Sequence, residues 1–108
     1  MSVNKDALRA TLAAIKANPE RWDQTAWARR TDCRTAYCFA GWTCALDGYT
    51  EPERGSRLVR SDGVSVDVQT YARRRLGLTW EQADELFDQF NCRADLERIV
   101  AKLCEDAS

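Results

Sequence analysis

The chain of 108 residues contains no histidine. That absence removes the commonest acid–base group near neutral pH and the commonest metal ligand. It also removes every hydrolase built on Ser-His-Asp or Cys-His. A catalyst here would have to work with carboxylates, cysteine, tyrosine or arginine. No run of 18 apolar residues occurs, so no segment reads as a membrane span. Residues 1–7 hold no apolar stretch of signal-peptide length, and the expected location is the cytoplasm. A glycine-rich phosphate loop, an internal repeat, a low-complexity tract and a linker are all missing.

What is there is an ordinary globular mixture, 44% hydrophobic and 31% charged. The length fits a single domain over residues 1–108, able to bury about two thirds of its unfolded surface. The net charge of −1 creates no global field toward nucleic acid or acidic lipid. Charge is nevertheless uneven. Residues 1–60 carry 10 basic and 7 acidic side chains, and residues 61–108 carry 6 and 10. Thirteen of the 16 basic residues are arginine. Arginine suits bidentate contacts to carboxylate or phosphate, but GC-rich coding also produces an arginine- and alanine-rich chain.

Five cysteines, Cys33, Cys38, Cys44, Cys92 and Cys104, are many for a cytosolic protein, and an odd number leaves one over in any full disulfide scheme. Four residues separate Cys33 from Cys38 and five separate Cys38 from Cys44. Neither is the two-residue spacing of a zinc knuckle or a thioredoxin-type motif. Cys38, Cys44 and Cys104 sit in apolar contexts that suit small buried residues. Cys33 and Cys92 precede expected helices, where backbone amides stabilise a thiolate. The expectation is no cofactor and no tightly bound metal.

Periodicity predicts a helix over residues 4–18, with Asn4 as N-cap and Val3, Ala7, Leu8, Leu12 and Ile15 on one face. Pro19 stops it and opens a short helical turn. Trp22 and Trp27 follow; a continuous helix would set them about 140° apart, so a turn or short helix must fold both rings onto the core. A central helix is expected over residues 35–46, with Cys38, Phe39, Trp42, Ala45 and Leu46 as its apolar stripe and Gly48 as its stop. Gly41 inside it costs about 1 kcal/mol relative to alanine, which a close helix contact would offset. Residues 49–63 read as the longest unstructured stretch, except that residues 57–66 look like a hairpin turning at Asp62-Gly63. Asp67 should cap a helix ending at Leu76 and Gly77, with Arg73, Arg74 and Arg75 pointing mostly outward. Thr79 and Gln82 form a capping box for the next helix, expected to carry Ala83, Leu86, Phe87 and Phe90 inward. A last helix places Leu96, Ile99, Val100 and Leu103 inward, toward Glu105. The fold class is therefore mainly α: one small domain of four to five helices with a short inserted β-hairpin.

The tight turn Leu76-Gly-Leu-Thr79 joins two helices as in helix-turn-helix DNA readers. Its second helix carries Glu81, Asp84, Glu85 and Asp88 and no basic residue, which phosphate would repel. Those four carboxylates form one broad face, either simply solvated or suited to a basic protein partner. Asp88, at the expected C-terminal end, opposes the helix dipole and needs another reason. Arg73 to Arg75 with Arg57 and Arg60 make a weaker basic patch, diluted by neighbouring acids.

The most distinctive stretch is Cys33-Arg-Thr-Ala-Tyr-Cys-Phe-Ala-Gly-Trp42. It resembles a family of small uncharacterised proteins from actinobacteria, their phages and other bacteria, whose motif is Cys-Gly-Thr, two variable residues, Cys, an apolar residue, then Ala-Gly-Trp. Cys33, Thr35, Cys38, Ala40, Gly41 and Trp42 match it, and Arg34 departs from it. The likeness extends to Pro19-Glu-Arg-Trp-Asp-Gln-Thr-Ala-Trp27, to Ala72 and Leu76-Gly-Leu-Thr79, and to Ala83 with Leu86-Phe87. It implies a shared fold and a phage or actinobacterial source, and no activity. Within the motif two readings stand side by side: Cys33 and Cys38 as a redox pair, or Thr35 as a cap with Gly41 and Trp42 as packing residues. The function expected is non-enzymatic, a small cytosolic protein that acts by binding another protein. A thiol-redox or metal-sensing role through Cys33 and Cys38, and nucleic-acid binding through arginines, are the alternatives.

Overall fold

The computed structural model describes residues 3–22, 24, 29–30, 35–53 and 56–106. Among them the expected mainly α domain is present, with five α-helices and a small antiparallel sheet.

Helix α1 spans Lys5–Ala17. The Asn4 side chain accepts a hydrogen bond from the Ala7 amide at 3.0 Å, so one orphan donor of the first turn is satisfied as expected. Asn4 also donates from its own amide to Leu76 O (2.8 Å) and from its side chain to Arg75 O (3.2 Å). It thus closes the last carbonyls of another helix. Asn18 ends α1, and Pro19–Arg21 forms a single 3-10 turn.

The central helix is shorter than its sequence suggests. α2 spans Phe39–Leu46 with Cys38, not Thr35, at its N-cap. Thr35–Ala36 is instead a two-residue strand, β2, paired antiparallel with β1 at Arg29–Arg30. Tyr37 then donates its amide to Arg21 O at 2.8 Å. Extended pairing with these earlier residues outcompetes three more residues of helix. Every residue of α2 from Phe39 to Cys44 is buried, including Gly41, as a helix apolar nearly all round must be. Leu46, expected in the stripe, is the last helical residue and is 48% exposed. α2 packs on α1 and on α3 (Val68–Leu76). At the α1 contact the hydroxyls of Thr11 and Thr43 meet at 3.2 Å.

Residues 49–53 are the larger departure. They form strand β3, Tyr49–Glu53, beside β4 (Arg57–Arg60) and β5 (Ser65–Asp67) in the order β3-β4-β5. The polar sequence around Pro52 hid it. Pro52 is tolerated because β3 is an edge strand, where a missing N–H costs least. Tyr37 Oη donates to Thr50 O at 2.6 Å and holds the strand to the segment preceding α2. The hairpin between β4 and β5 turns through three residues. Gly63 donates to Arg60 O at 2.9 Å and Arg60 to Val64 O at 2.8 Å, with Gly63 at φ 89°. That is a type I turn closed by a left-handed glycine. Leu58 is fully buried, so the sheet leans on the helices rather than standing alone.

Asp67 caps α3 through the Thr70 amide, and Gly77 ends it at φ 69°. α4 spans Trp80–Leu86 and α5 spans Arg93–Asp106, with Leu96, Ile99, Val100, Leu103 and Cys104 buried. No helix among the described residues is long and apolar enough to cross a membrane.

Trp42 lies at the centre of this packing. It is 6% exposed, its Nε1 donates to Arg21 O at 3.1 Å, and Tyr37 meets its ring edge-on at 5.5 Å. Trp42→Ala should cost about 3–5 kcal/mol, read from the denaturant midpoint at unchanged slope. A variant with the parent midpoint would remove Trp42 from the core.

Candidate functional site

α4 begins where sequence placed it. Thr79 Oγ1 accepts from the Gln82 amide (3.1 Å) and Gln82 Oε1 accepts from the Thr79 amide (2.9 Å), a complete capping box. Ala83 and Leu86 face the core. Trp80, Glu81, Asp84 and Glu85 are exposed and share an arc of about 140° on the other side. Trp80, at the first position, is 49% exposed, with the Arg73 guanidinium 4.4 Å from its ring centroid. Glu81 and Glu85 stand one turn apart, a like-charge pair that destabilises the helix by about 0.2–0.5 kcal/mol.

The helix stops earlier than its apolar pattern suggests. It ends at Leu86, with Phe87 as C-cap. Asp88 therefore does not belong to the carboxylate face of α4. Its Oδ1 accepts from the Phe90 amide at 2.8 Å and shapes the turn toward α5. This turn supplies the reason for Asp88 that the dipole argument lacked. Phe90, expected in the core, is 84% exposed.

Two amides that sequence reasoning passed over fix this end. Asn91 Nδ2 donates to Glu85 O (2.7 Å) and Leu86 O (3.2 Å). Gln24, 6% exposed, donates from Nε2 to Leu86 O (3.1 Å) and Asp88 O (3.0 Å). Its Oε1 accepts from Trp22 Nε1 (3.1 Å) and from the Phe39 amide (3.1 Å). No local pattern marks Gln24, because its partners lie up to 64 residues away.

The cysteine motif is only partly in view. Cys33 lies outside the described residues, as does Trp27, and Thr35 enters only through the β2 backbone. Cys38 is 1% exposed and its Sγ accepts from the Gly41 amide at 3.4 Å. Cys44 is buried and its Sγ donates to Val68 O at 3.6 Å. Burial, then the neighbouring Cys38, Asp47 and Asp67, push the Cys44 thiol far above its usual range. Cys44 is accordingly a packing residue rather than a thiolate nucleophile. Cys92 is exposed ahead of α5, its amide donating to Asp95 Oδ2 at 3.0 Å. No cluster of three cysteines or acids suited to a metal occurs among the described residues.

Comparison with protein-family models, with curated proteins and with solved structures finds no match.

Several carboxylates are held below their ordinary range. For Asp67, burial works to raise the pKa. Hydrogen bonds from the Thr70 amide, the Ser56 hydroxyl and the Thr70 hydroxyl, with the charge of Arg57, outweigh it. Asp62 is lowered by its hydrogen bond with Arg60 and by the Val64 amide, and Asp95 by the Cys92 amide. A carboxyl with a depressed native pKa stabilises the fold above its unfolded pKa, and that stability is lost as pH falls through the native one. Unfolding free energy should therefore decline from about pH 4 downward. Asp67→Asn should show a shallower decline in denaturant titrations between pH 6 and pH 2. An unchanged slope would mean that the Asp67 cap contributes nothing to acid sensitivity.

Proposed function

We propose that this protein is a non-enzymatic interaction protein that binds a basic protein segment through α4 and the turn that follows it. The 84% exposure of Phe90, four residues beyond the end of α4, carries this reading. A single exposed apolar residue is ordinary. Phe90 differs because its backbone is fastened on both sides, by Asp88 Oδ1 at its own amide and by Asn91 Nδ2 on Glu85 O and Leu86 O. A rigidly presented aromatic loses little conformational freedom on binding, and aromatics supply much of the energy at interfaces.

The flanking charge favours a cationic partner. Trp80 shares its helix face with Glu81, Asp84 and Glu85, and no basic residue lies on α4. The helix N-terminus favours Glu81, but it does not account for the like-charge spacing down the same face. A partner offering lysine or arginine around an apolar anchor would remove that repulsion and cover Phe90. Nucleic acid is disfavoured at this face for the same electrostatic reason.

Glu81→Lys with Asp84→Lys should leave the fold intact, since both side chains are exposed. It should slow association with the partner by at least about tenfold and reverse its salt dependence. Phe90→Ser should instead speed dissociation. Both are measured with the protein that wild type captures from host extract and both variants release. Capture of the same proteins by wild type and by both variants would refute the assignment of this surface.

A further inference from the structure

The basic patch grouped in sequence is divided by the fold. Arg60 pairs with Asp62, Nη2 to Oδ2 at 2.7 Å, and Arg73 lies over Trp80. Arg75 instead borders an open cavity of about 260 Å³ between α1, α2 and the end of α3. No residue of α4 lines it. Pockets for drug-sized ligands run from about 300 to 1,000 Å³, so the occupant of this one is small.

Two buried threonines, Thr11 from α1 and Thr43 from α2, line the cavity. Thr11 Oγ1 donates to Ala7 O at 2.8 Å and Thr43 Oγ1 to Phe39 O at 3.1 Å, while the two oxygens stand 3.2 Å apart. Each hydroxyl has one proton, so two protons serve three contacts. With both on the carbonyls, two oxygens face each other through lone pairs and are free to accept from an N–H in the cavity. One turn after Thr43, Asp47 adds a carboxylate. Its Oδ2 accepts from Tyr71 Oη at 2.6 Å and Arg75 Nε at 3.1 Å, and its Oδ1 takes no hydrogen bond from the described residues. The two Nη groups of Arg75 likewise donate to none of them. Ala7, Ala10 and Leu46 supply the apolar part of the lining.

We propose that this cavity binds a free α-amino acid with a short apolar side chain. The ammonium donates to Asp47 Oδ1 and the threonine oxygens, and the carboxylate accepts from the Nη fork of Arg75. The side chain lies against Ala7, Ala10 and Leu46. The lining holds one acid and one base, already paired with each other. A ligand carrying one charge of each sign satisfies both, whereas a dianion would meet Asp47 and a simple amine would meet Arg75.

The test is a titration of the 15N-labelled full chain with L-valine and with L-alanine at constant ionic strength. The amides of Ala10, Thr43 and Asp47 should shift and saturate with at least one of them. Butyrate and butylamine, each with a single charge, should bind at least about tenfold more weakly. Arg75→Gln, at an exposed position, should weaken binding by a similar factor while Tyr71 still holds Asp47. Ala10→Leu, also exposed and a good helix former, should fill the cavity and abolish binding with the fold retained. Shifts that saturate with neither amino acid, an equal response to butyrate or butylamine, or undiminished binding by Ala10→Leu would each overturn the site.

Discussion

The side-chain amide of Gln24 is the joint at which distant parts of the chain meet. Its oxygen takes the first amide of α2 and the indole of Trp22, and its nitrogen takes two carbonyls at the end of α4. Helix ends leave four backbone groups each without partners, and a buried end must find them elsewhere. One glutamine supplies partners to the start of one helix and the end of another. A side chain that donates twice and accepts twice is used to its full capacity, and none of its polar atoms is left as a buried cost. At the end of α4 it shares Leu86 O with Asn91 Nδ2, and at the start of α2 it alone holds the Phe39 amide.

That joint also sets where the exposed face lies. Because Leu86 O and Asp88 O are held, α4 stops after seven residues and the chain turns, carrying Phe90 outward rather than along a continued helix. The same economy recurs elsewhere. Asn4 starts α1 and closes α3. Asp47 receives both Tyr71 and Arg75, and burial followed by that hydrogen bond raises the Tyr71 phenol well above its usual range. Polar side chains here serve the ends of elements, whereas Phe90, Glu81 and Asp84 are exposed and take no such duty.

The parts of this fold that could be read from sequence are those whose causes are local. Asn4, Asp67 and the Thr79–Gln82 pair each act within three residues, so a short window contains both donor and acceptor. Gly77 announces a left-handed stop for the same reason. The apolar stripes of α1, α3 and α5 emerged because each helix has one wet face. What was not legible depends on residues far away in the chain. Thr35 pairs in a ladder with Arg30 instead of opening a helix. β3 exists because β4 and Tyr37 hold it, despite Pro52 and its acids. Phe90 fits the helical period of α4 in sequence, yet Gln24, 62 residues from Leu86, helps end the helix before reaching it. Of the four carboxylates grouped on one face, three are there and the fourth, Asp88, shapes the turn.

Replacing Gln24 by methionine, which fills similar space without hydrogen-bonding amide atoms, is the most direct measurement. It leaves the buried Phe39 amide unpaired, while Leu86 O keeps Asn91 Nδ2, so the unfolding free energy should fall by about 1–3 kcal/mol. Hydrogen exchange at the Phe39 amide should accelerate by more than that global loss explains. A Gln24→Met protein with the parent stability and an equally protected Phe39 amide would contradict the account.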